Sequence, residues 1–249
     1  MDVTIVPGTL KGAVTPPPSK SQAHRLILAA ALSGGISTLS NVDFSQDIEA
    51  TLGCLSALGT GVERRDKGQV KLHGLGNSIP QAGPIPVLDC GESGSTLRFL
   101  IPAALVVMGG GIFTGHGRLM ERPQEPYIHL FHEKGISWNR EGDTLTVLGQ
   151  LKAGDYELPG NVSSQFFTGL LYALPLVSGI SRIVPTTHIE GRDYLAMTLD
   201  TLAGAGVTVT ELHNTIKYFH ITGKTAYKAM DYTVESDWSQ AAFWYGANF

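Results

Sequence analysis

A two-helix pattern recurs three times along the chain, and this repeat constrains the possible folds more than any other feature of the sequence. Each copy begins at a serine-containing turn, continues as an apolar helix of about a dozen residues, and passes through glycine into a β-branched segment. The copies begin at Ser19, Ser93 and Ser163. Their spacing of about 70 residues exceeds the roughly 20 to 50 residues of solenoid repeats, so each copy is expected to be a folding unit in its own right.

A second helix follows the first one in every copy and ends at a glycine, at Gly59, Gly135 and Gly204. Strands with alternating apolar residues are predicted downstream, at 69–73, 144–148 and 216–221. The order helix, strand, helix, strand, strand predicts an α/β fold with mixed sheets. Because the first helices are apolar nearly all round, we expect them to be buried at the centre. A fourth copy begins at Ser236.

Composition excludes several classes of protein. Charged residues make up 16% of the 249 residues, below the usual value of about 25%, and the net charge is −4, which does not favour a nucleic-acid partner. No signal-peptide pattern opens the chain, and the longest apolar run, 99–108, is too short to span a bilayer, so we expect a cytoplasmic protein with no membrane partner. Cys54 and Cys90 are expected in the core, and His129 and His132 lack a third ligand, so no metal site is expected.

The helix starts are candidate anion sites. A helix N-terminus presents free N–H groups and a partial positive charge. Arg25 and Arg98 lie one turn inside their helices and add a cation beside two of the starts. A single serine turn is more often a simple helix cap, but three similar turns that converge would form an anion-binding cleft. The donors at these turns are Lys20, Ser21, Ser95, Ser163, Ser164 and Gln165.

Four other residues are weaker candidates. Arg122 is suited to bidentate binding of a phosphate or carboxylate, although an isolated arginine is more often a surface residue. Arg192 and Tyr194 open the second helix of the third unit and could reach the same cleft. Asp47 opens the second helix of the first unit, where a carboxylate also serves simply to stabilise the helix start.

The motifs at these positions resemble those of 3-phosphoshikimate 1-carboxyvinyltransferases, the EPSP synthase family. They occur in the family's order over the whole chain, and they are specific as a set, although each is weak alone. The matching segments are PSKSQAHR at 18–25, GESGSTLR at 91–98, GRLMERP at 117–123, SSQ at 163–165 and DWSQA at 237–241.

The resemblance implies an enzyme of the shikimate pathway with two domains built from repeated βαβαββ units, the inverse α/β prism of enolpyruvyl transferases. Such an enzyme moves the enolpyruvyl group of phosphoenolpyruvate to the 5-hydroxyl of shikimate 3-phosphate through a tetrahedral intermediate. The resemblance implies no metal and no organic cofactor. A monomer is expected.

The resemblance also implies roles for individual residues. Lys20 would be catalytic and would touch both substrates. Shikimate 3-phosphate would be held by Lys20, Ser21, Arg25, Ser163, Ser164 and Gln165. Phosphoenolpyruvate, or the inhibitor glyphosate in its place, would be held by Lys20, Gly94, Ser95, Arg122 and Gln165.

The family pattern assigns residues 1–18 to a second domain, 19–235 to the domain that binds shikimate 3-phosphate, and 236–249 to the start of the second domain. The family's acidic base and further cationic residues are expected in a C-terminal half that lies outside these 249 residues. Gly191 stands where serine is common, so one contact to the shikimate phosphate is expected to be lost or replaced by Arg192.

Two alternative functions remain open. The chain could bind shikimate 3-phosphate without turning it over. It could also resemble the related UDP-N-acetylglucosamine enolpyruvyl transferase. That enzyme matches less well, because its motif has Lys-Asn where Lys20-Ser21 stands here, and because the loop 115–121 lacks its cysteine.

Overall fold

The structure is a computed structural model that describes residues 3–4, 8, 11–76, 79, 83–213 and 217–247. Its helices follow the repeat predicted from the sequence. The first helices of the three units are α1 (Lys20–Leu32), α3 (Gly94–Met108) and α5 (Ser164–Ala173). The second helices are α2 (Gln46–Ala57), α4 (Glu125–Glu133) and α6 (Arg192–Gly204). A further helix, α7 (Trp238–Gly246), follows the third unit.

Each unit carries one four-stranded mixed sheet. The first sheet has the order β12-β1-β3-β2 and contains β1 (Ile36–Ser40), β2 (Gly61–Arg65), β3 (Gln69–His73) and β12 (Asp231–Thr233). The second has the order β4-β5-β7-β6, with β4 (Val87–Asp89), β5 (Gly110–Thr114), β6 (Ser137–Glu141) and β7 (Thr144–Leu148). The third has the order β8-β9-β11-β10, with β8 (Asp155–Leu158), β9 (Ile180–Pro185), β10 (Val209–His213) and β11 (Lys217–Thr222).

The three sheets share one topology, but the first is completed by a distant segment. In the second and third sheets, the outer parallel strand immediately precedes the unit's first helix (β4 before α3, β8 before α5). In the first sheet that position is taken by β12, which pairs in parallel with β1 in the register Thr38↔Asp231. The chain after the third unit therefore returns to the first unit and supplies the fourth strand of its sheet.

The apolar first helices lie at the centre, as their sequences predict. In α1 every residue from Gln22 to Leu32 is buried, and α3 and α5 are buried along most of their length. Gly169 in α5 faces the main chain of α3, where a Cβ atom would overlap the Arg98 carbonyl oxygen. The Tyr127 hydroxyl lies 3.0 Å from that carbonyl oxygen and 2.9 Å from the Phe166 carbonyl oxygen. It thereby ties α4 to both central helices.

Observed boundaries agree closely with the periodicity. The predicted strands 69–73 and 144–148 coincide with β3 and β7, and 216–221 corresponds to β11 except for Ile216, which lies outside the described residues. The predicted α/β fold of repeated units with mixed sheets is confirmed. No helix among the described residues is long and apolar enough to cross a membrane.

Candidate functional site

The N-terminal ends of the three central helices meet in one region. Serine side chains cap all three: the Oγ atoms of Ser19, Ser93 and Ser163 accept hydrogen bonds from main-chain N–H groups of the first turn, at 3.1–3.3 Å. Gln165 links two of the helices, since its Nε2 donates to Ser95 Oγ at 2.9 Å. The structure thus brings the predicted donors of α3 and α5 together at helix ends that favour anions.

Arg25 lies at the centre of this region with only 3% of its surface exposed. Its Nε donates to Thr198 Oγ1 on α6 at 2.8 Å, and its Nη1 donates to the Ser21 carbonyl oxygen at 2.7 Å. The guanidinium carbon lies 5.2 Å from the centre of the Phe99 ring and 5.8 Å from that of Tyr194, within the range of cation–π contacts. Side chains of α3 and α6 and a main-chain carbonyl of α1 therefore hold one buried cation in place.

Arg98 is a second buried cation, 9% exposed. Its Nη1 donates to Gln165 Oε1 at 2.8 Å, and its Nη2 donates to the Pro123 carbonyl oxygen at 2.8 Å. Its guanidinium also lies 4.6 Å from the centre of the Phe166 ring. The Nε of Arg98 has no hydrogen-bond partner among the residues that the structure describes.

Neither buried guanidinium forms an ion pair with a carboxylate of the described chain. Burial lowers the pKa of Arg25 and of Arg98, because it removes the charged form from water. A buried charge without a counter-charge is costly, and an anionic ligand would offset that cost. The arrangement is suited to binding an anion at the helix ends.

Lys20 stands at the start of α1, with half of its side chain exposed. Its Nζ lies 2.6 Å from Asp47 Oδ2, on the first turn of α2. The sequence offered Asp47 mainly as a helix-start carboxylate, and the structure makes it the partner of Lys20 as well. The N-terminus of α2 therefore joins the same region.

Arg122 approaches the start of α3 from the other side. It directly follows a short 3₁₀ turn, Leu119–Glu121, and is exposed. A Cβ atom built at Gly94 would lie 2.8 Å from Arg122 Nη1 and 3.7 Å from Gln165 Oε1. Glycine at position 94 therefore leaves room for the guanidinium beside the helix N-terminus.

Ser164 borders the start of α6. A Cβ atom at Gly191 would lie 3.3 Å from Ser164 Oγ, so position 191 does border the site. Gly191 has φ +66°, a conformation that glycine adopts with little strain. In this structure the Nη2 of Arg192 binds the Glu211 carboxylate of β10 at 2.7 Å and 2.8 Å, and a contact of Arg192 with the shikimate phosphate stays a prediction. Tyr194 does reach the region, beside Arg25.

Sequence reasoning missed the groups that hold the two arginines. Thr198, Phe99 and Phe166 were not singled out, although Thr198 lies one helical turn after Tyr194 and so shares its face. No group of three histidine, cysteine, aspartate or glutamate side chains within the described ranges is placed to hold a metal ion.

The sequence is similar to those of known proteins of one enzyme family. The family model for EPSP synthase (3-phosphoshikimate 1-carboxyvinyltransferase) matches residues 6–249. The 3-phosphoshikimate 1-carboxyvinyltransferase of Clostridium beijerinckii is 41% identical over 99% of this chain and 58% of its own length. That of Clostridium kluyveri is 46% identical over 97% of this chain and 56% of its own.

The fold is also similar to that of solved structures of the same enzyme. A structure of EPSP synthase from Acinetobacter baumannii matches with a TM-score of 0.78 and 26% identity, over 93% of this chain and 51% of that one. The chain thus spans a little over half the length of its relatives. Because the family model covers nearly all of the 249 residues, the chain belongs to the EPSP synthase family.

Proposed function

We propose that this chain binds shikimate 3-phosphate and phosphoenolpyruvate and carries one wall of the active site of a 3-phosphoshikimate 1-carboxyvinyltransferase. One observation carries the proposal: two buried guanidiniums, Arg25 and Arg98, lie at converging helix N-termini without an ion pair to a carboxylate of the described residues. Both proposed substrates carry a phosphate and a carboxylate, and such groups would supply the missing negative charge.

Shikimate 3-phosphate is assigned to the side of the site formed by α1, α5 and α6. Arg25 supplies the buried cation there, and Ser164 supplies a hydroxyl beside Gly191, the residue that precedes α6. The ligand's full set of contacts is proposed to be Lys20, Ser21, Arg25, Ser163, Ser164 and Gln165.

Phosphoenolpyruvate is assigned to the side formed by the start of α3 and by Arg122. The main-chain N–H groups of the first turn of α3 and the guanidinium of Arg122 would face the same anion. Lys20, Gly94, Ser95, Arg122 and Gln165 are its proposed contacts. Gln165, bonded to both Ser95 and Arg98, would lie between the two ligands.

The transfer step needs fixed positive charge and a proton carrier. When the 5-hydroxyl adds to C2 of phosphoenolpyruvate, the hydroxyl loses its proton and the C3 methylene gains one. In the elimination that follows, C3 loses a proton and the bond from C2 to the phosphate oxygen breaks, so negative charge moves onto the phosphate, where preorganised cations stabilise it. Lys20 is the proton-carrying cation that this chain supplies, with Asp47 2.6 Å away to orient its ammonium group.

The domain assignment is also proposed: 1–18 and 236–249 belong to a second domain, and 19–235 form the domain that binds shikimate 3-phosphate. Two features support it. The segments around Pro18 and Ser236 run antiparallel as a pair of connections. Helix α7 leaves Trp238, Phe243 and Tyr245 more than 60% exposed, an aromatic surface that a further domain would cover. A cytoplasmic monomer is part of the same proposal.

Calorimetry with shikimate 3-phosphate tests the proposal directly. The 249-residue chain is expected to bind it, and Ser164→Ala is expected to weaken binding about tenfold by removing one hydrogen bond to a charged group. Phosphate release is then measured for the chain alone and with the C-terminal half of the Clostridium kluyveri relative added. Release only in the mixture would assign binding to this chain and turnover to the pair. No heat with shikimate 3-phosphate would contradict the proposal.

A further inference from the structure

Four buried side chains form a continuous hydrogen-bonded line beneath the first turns of α1, α2 and α3. His24 Nδ1 lies 2.8 Å from Thr51 Oγ1, which lies 2.7 Å from Thr96 Oγ1. Thr96 Oγ1 in turn lies 2.8 Å from Ser93 Oγ, the cap of α3. All four residues are at most 3% exposed. The line therefore joins α1 and α3, which present proposed ligand contacts, through Thr51 of α2.

The line is also attached to the main chain of Asp47. Thr51 Oγ1 donates to the Asp47 carbonyl oxygen at 3.1 Å, and Thr96 Oγ1 lies 3.4 Å from the same oxygen. The carboxylate of Asp47 binds Lys20. The residue that orients Lys20 is thus tied directly to the first turn of α3.

The protonation state of His24 fits a fixed role. Burial, as the largest cause, lowers its pKa to about 3, so the ring is neutral near pH 7. Its Nε2 has no partner among the described residues, so the tautomer that carries its proton on Nδ1 avoids burying an unpaired N–H group. In that tautomer Nδ1 donates to Thr51. The single proton of the Thr51 hydroxyl then goes either to Thr96 or to the Asp47 carbonyl oxygen, and that of Thr96 can go to Ser93.

We propose that Thr51 and Thr96 are positioning residues, which fix the turn at Gly94 and Ser95 against the start of α2 and thereby set the affinity for phosphoenolpyruvate. This inference rests on the proposed function, in which Gly94 and Ser95 are contacts of phosphoenolpyruvate alone, whereas Lys20 is a contact of both substrates. Neither threonine side chain was assigned a role there.

Shikimate 3-phosphate depends on a different set of hydroxyls. Arg25 is held by Thr198, whose Oγ1 lies 3.0 Å from Thr168 Oγ1 on α5. Neither bond involves Thr51 or Thr96. A change at Thr96 should therefore separate the two substrates, whereas a general loss of packing would affect both.

Three variants test this separation. Thr96→Val removes the hydroxyl and keeps the shape, while Thr96→Ser keeps the hydroxyl. Thr201→Val is the matched control: Thr201 is 7% exposed and donates to a carbonyl four residues earlier, that of Met197, at 2.8 Å. The bond from Thr201 to Met197 has the same local geometry as the bond from Thr51 to Asp47, but it lies within α6. The Thr201 side chain also hydrogen-bonds with Tyr172 of α5, which is outside the line of His24, Thr51, Thr96 and Ser93.

Affinities are measured by calorimetry, for shikimate 3-phosphate alone and for phosphoenolpyruvate in its presence. Thr96→Val should lower the phosphoenolpyruvate affinity at least tenfold and change the shikimate 3-phosphate affinity less than twofold. Thr96→Ser should restore the phosphoenolpyruvate affinity to within threefold of the wild type, and Thr201→Val should change neither. Equal losses for both substrates, or the same loss in Thr201→Val, would overturn the positioning role.

A measurement without ligand separates this inference from the proposed function. Thr51→Val should shift the amide NMR signals of Gly94 and Ser95, whereas Thr201→Val should not. If both substrates bind the wild type but the shifts are absent, the positioning role is wrong. If the shifts are present but neither substrate binds, the proposed function is wrong, and so is the predicted effect on affinity. The structural link from Thr51 to the turn at Gly94 and Ser95 would still hold.

Discussion

At the residue scale, the site is distinguished by how its arginines are paired. Arg182 and Arg192 lie at the surface and form ion pairs with Asp155 and Glu211, as exposed arginines commonly do. Arg25 is buried instead and is held by a hydroxyl, a carbonyl oxygen and aromatic rings. Such contacts fix the position of the guanidinium without neutralising its charge. The charge remains available to a ligand.

The substitution Gly94→Ala is expected to weaken phosphoenolpyruvate binding at least tenfold. The added Cβ would lie 2.8 Å from Arg122 Nη1, and displacing that guanidinium loses a charge-assisted hydrogen bond of about 1.5–3 kcal/mol. Shikimate 3-phosphate affinity should change less than twofold. The control is Gly53→Ala in α2, where the new Cβ meets nothing within 4 Å. Calorimetry in which Gly94→Ala behaves like Gly53→Ala would show that position 94 does not control Arg122.

His24 is expected to make stability depend on pH. Its pKa is about 3 when folded and 6.5 when unfolded, so the unfolded chain binds the extra proton between these values. The contribution of the neutral His24 ring to the free energy of unfolding is fully present above pH 6.5. It is lost as the pH falls from 6.5 towards 3. Between pH 7.5 and pH 5 the wild type should lose about 2 kcal/mol more than His24→Gln.

Urea unfolding of the two proteins at both pH values measures this difference. His188→Gln, at an exposed site, is the control and should follow the wild type. Because the carboxylates are common to all three proteins, their titration cancels in the comparison. If the free energy of unfolding falls equally for the wild type and His24→Gln, then His24 is protonated as easily in the folded protein as in the unfolded chain, and the prediction is wrong.

At the scale of secondary structure, α7 repeats the start of the central helices but not their burial. Asp237 caps it by accepting from the N–H groups of Ser239 and Gln240, at 2.8 Å and 3.2 Å. Of its residues only Ala241 is buried. The same local signal thus opens a helix that packs into the core in three cases and remains exposed in the fourth.

The double substitution Phe243→Ala and Trp244→Ala is therefore expected to change the melting temperature by less than about 2 °C. These side chains are 75% and 49% exposed, so little buried area is lost. Phe219→Ala, at a site that is 1% exposed, should instead lower the melting temperature by about 10 °C. Binding of an apolar fluorescent dye should fall in the double variant only. A drop above 5 °C in that variant would show that α7 packs on the rest of the domain.

The spacing of apolar residues and the glycines at helix ends made the helices and the inner strands predictable from the sequence. β3 and β7 alternate strictly, because one face covers the core and the other meets solvent. The outer strands β2 and β6 expose most of their residues and carry no such pattern. The hydrogen bond between Arg98 and Gln165 could not be predicted from the sequence either, because the two residues are 67 positions apart. Local patterns thus located the donors, but only the tertiary structure reveals their partners.

At the scale of the whole molecule, the repeat explains why the helix ends meet. Three units with the same sheet topology bury their first helices at the centre. Helices α3 and α5 pack on each other, and α1 is joined to them by the side chains of Phe99 and Tyr172, so the capped N-termini face one region. The return of β12 to β1 completes the first sheet in the same way as β4 and β8 complete the others. The proposed anion site follows from this arrangement, and the buried arginines would add to its affinity.

The central claim is that buried Arg25 binds an anion rather than serving packing alone, and calorimetry with shikimate 3-phosphate tests it most directly. The wild type, Arg25→Gln and the surface control Arg182→Gln are titrated under identical conditions. Arg25→Gln should bind at least tenfold more weakly, since a charge-assisted bond contributes about 1.5–3 kcal/mol, and Arg182→Gln should match the wild type. Equal affinity in all three proteins, with Arg25→Gln still folded, would contradict the account.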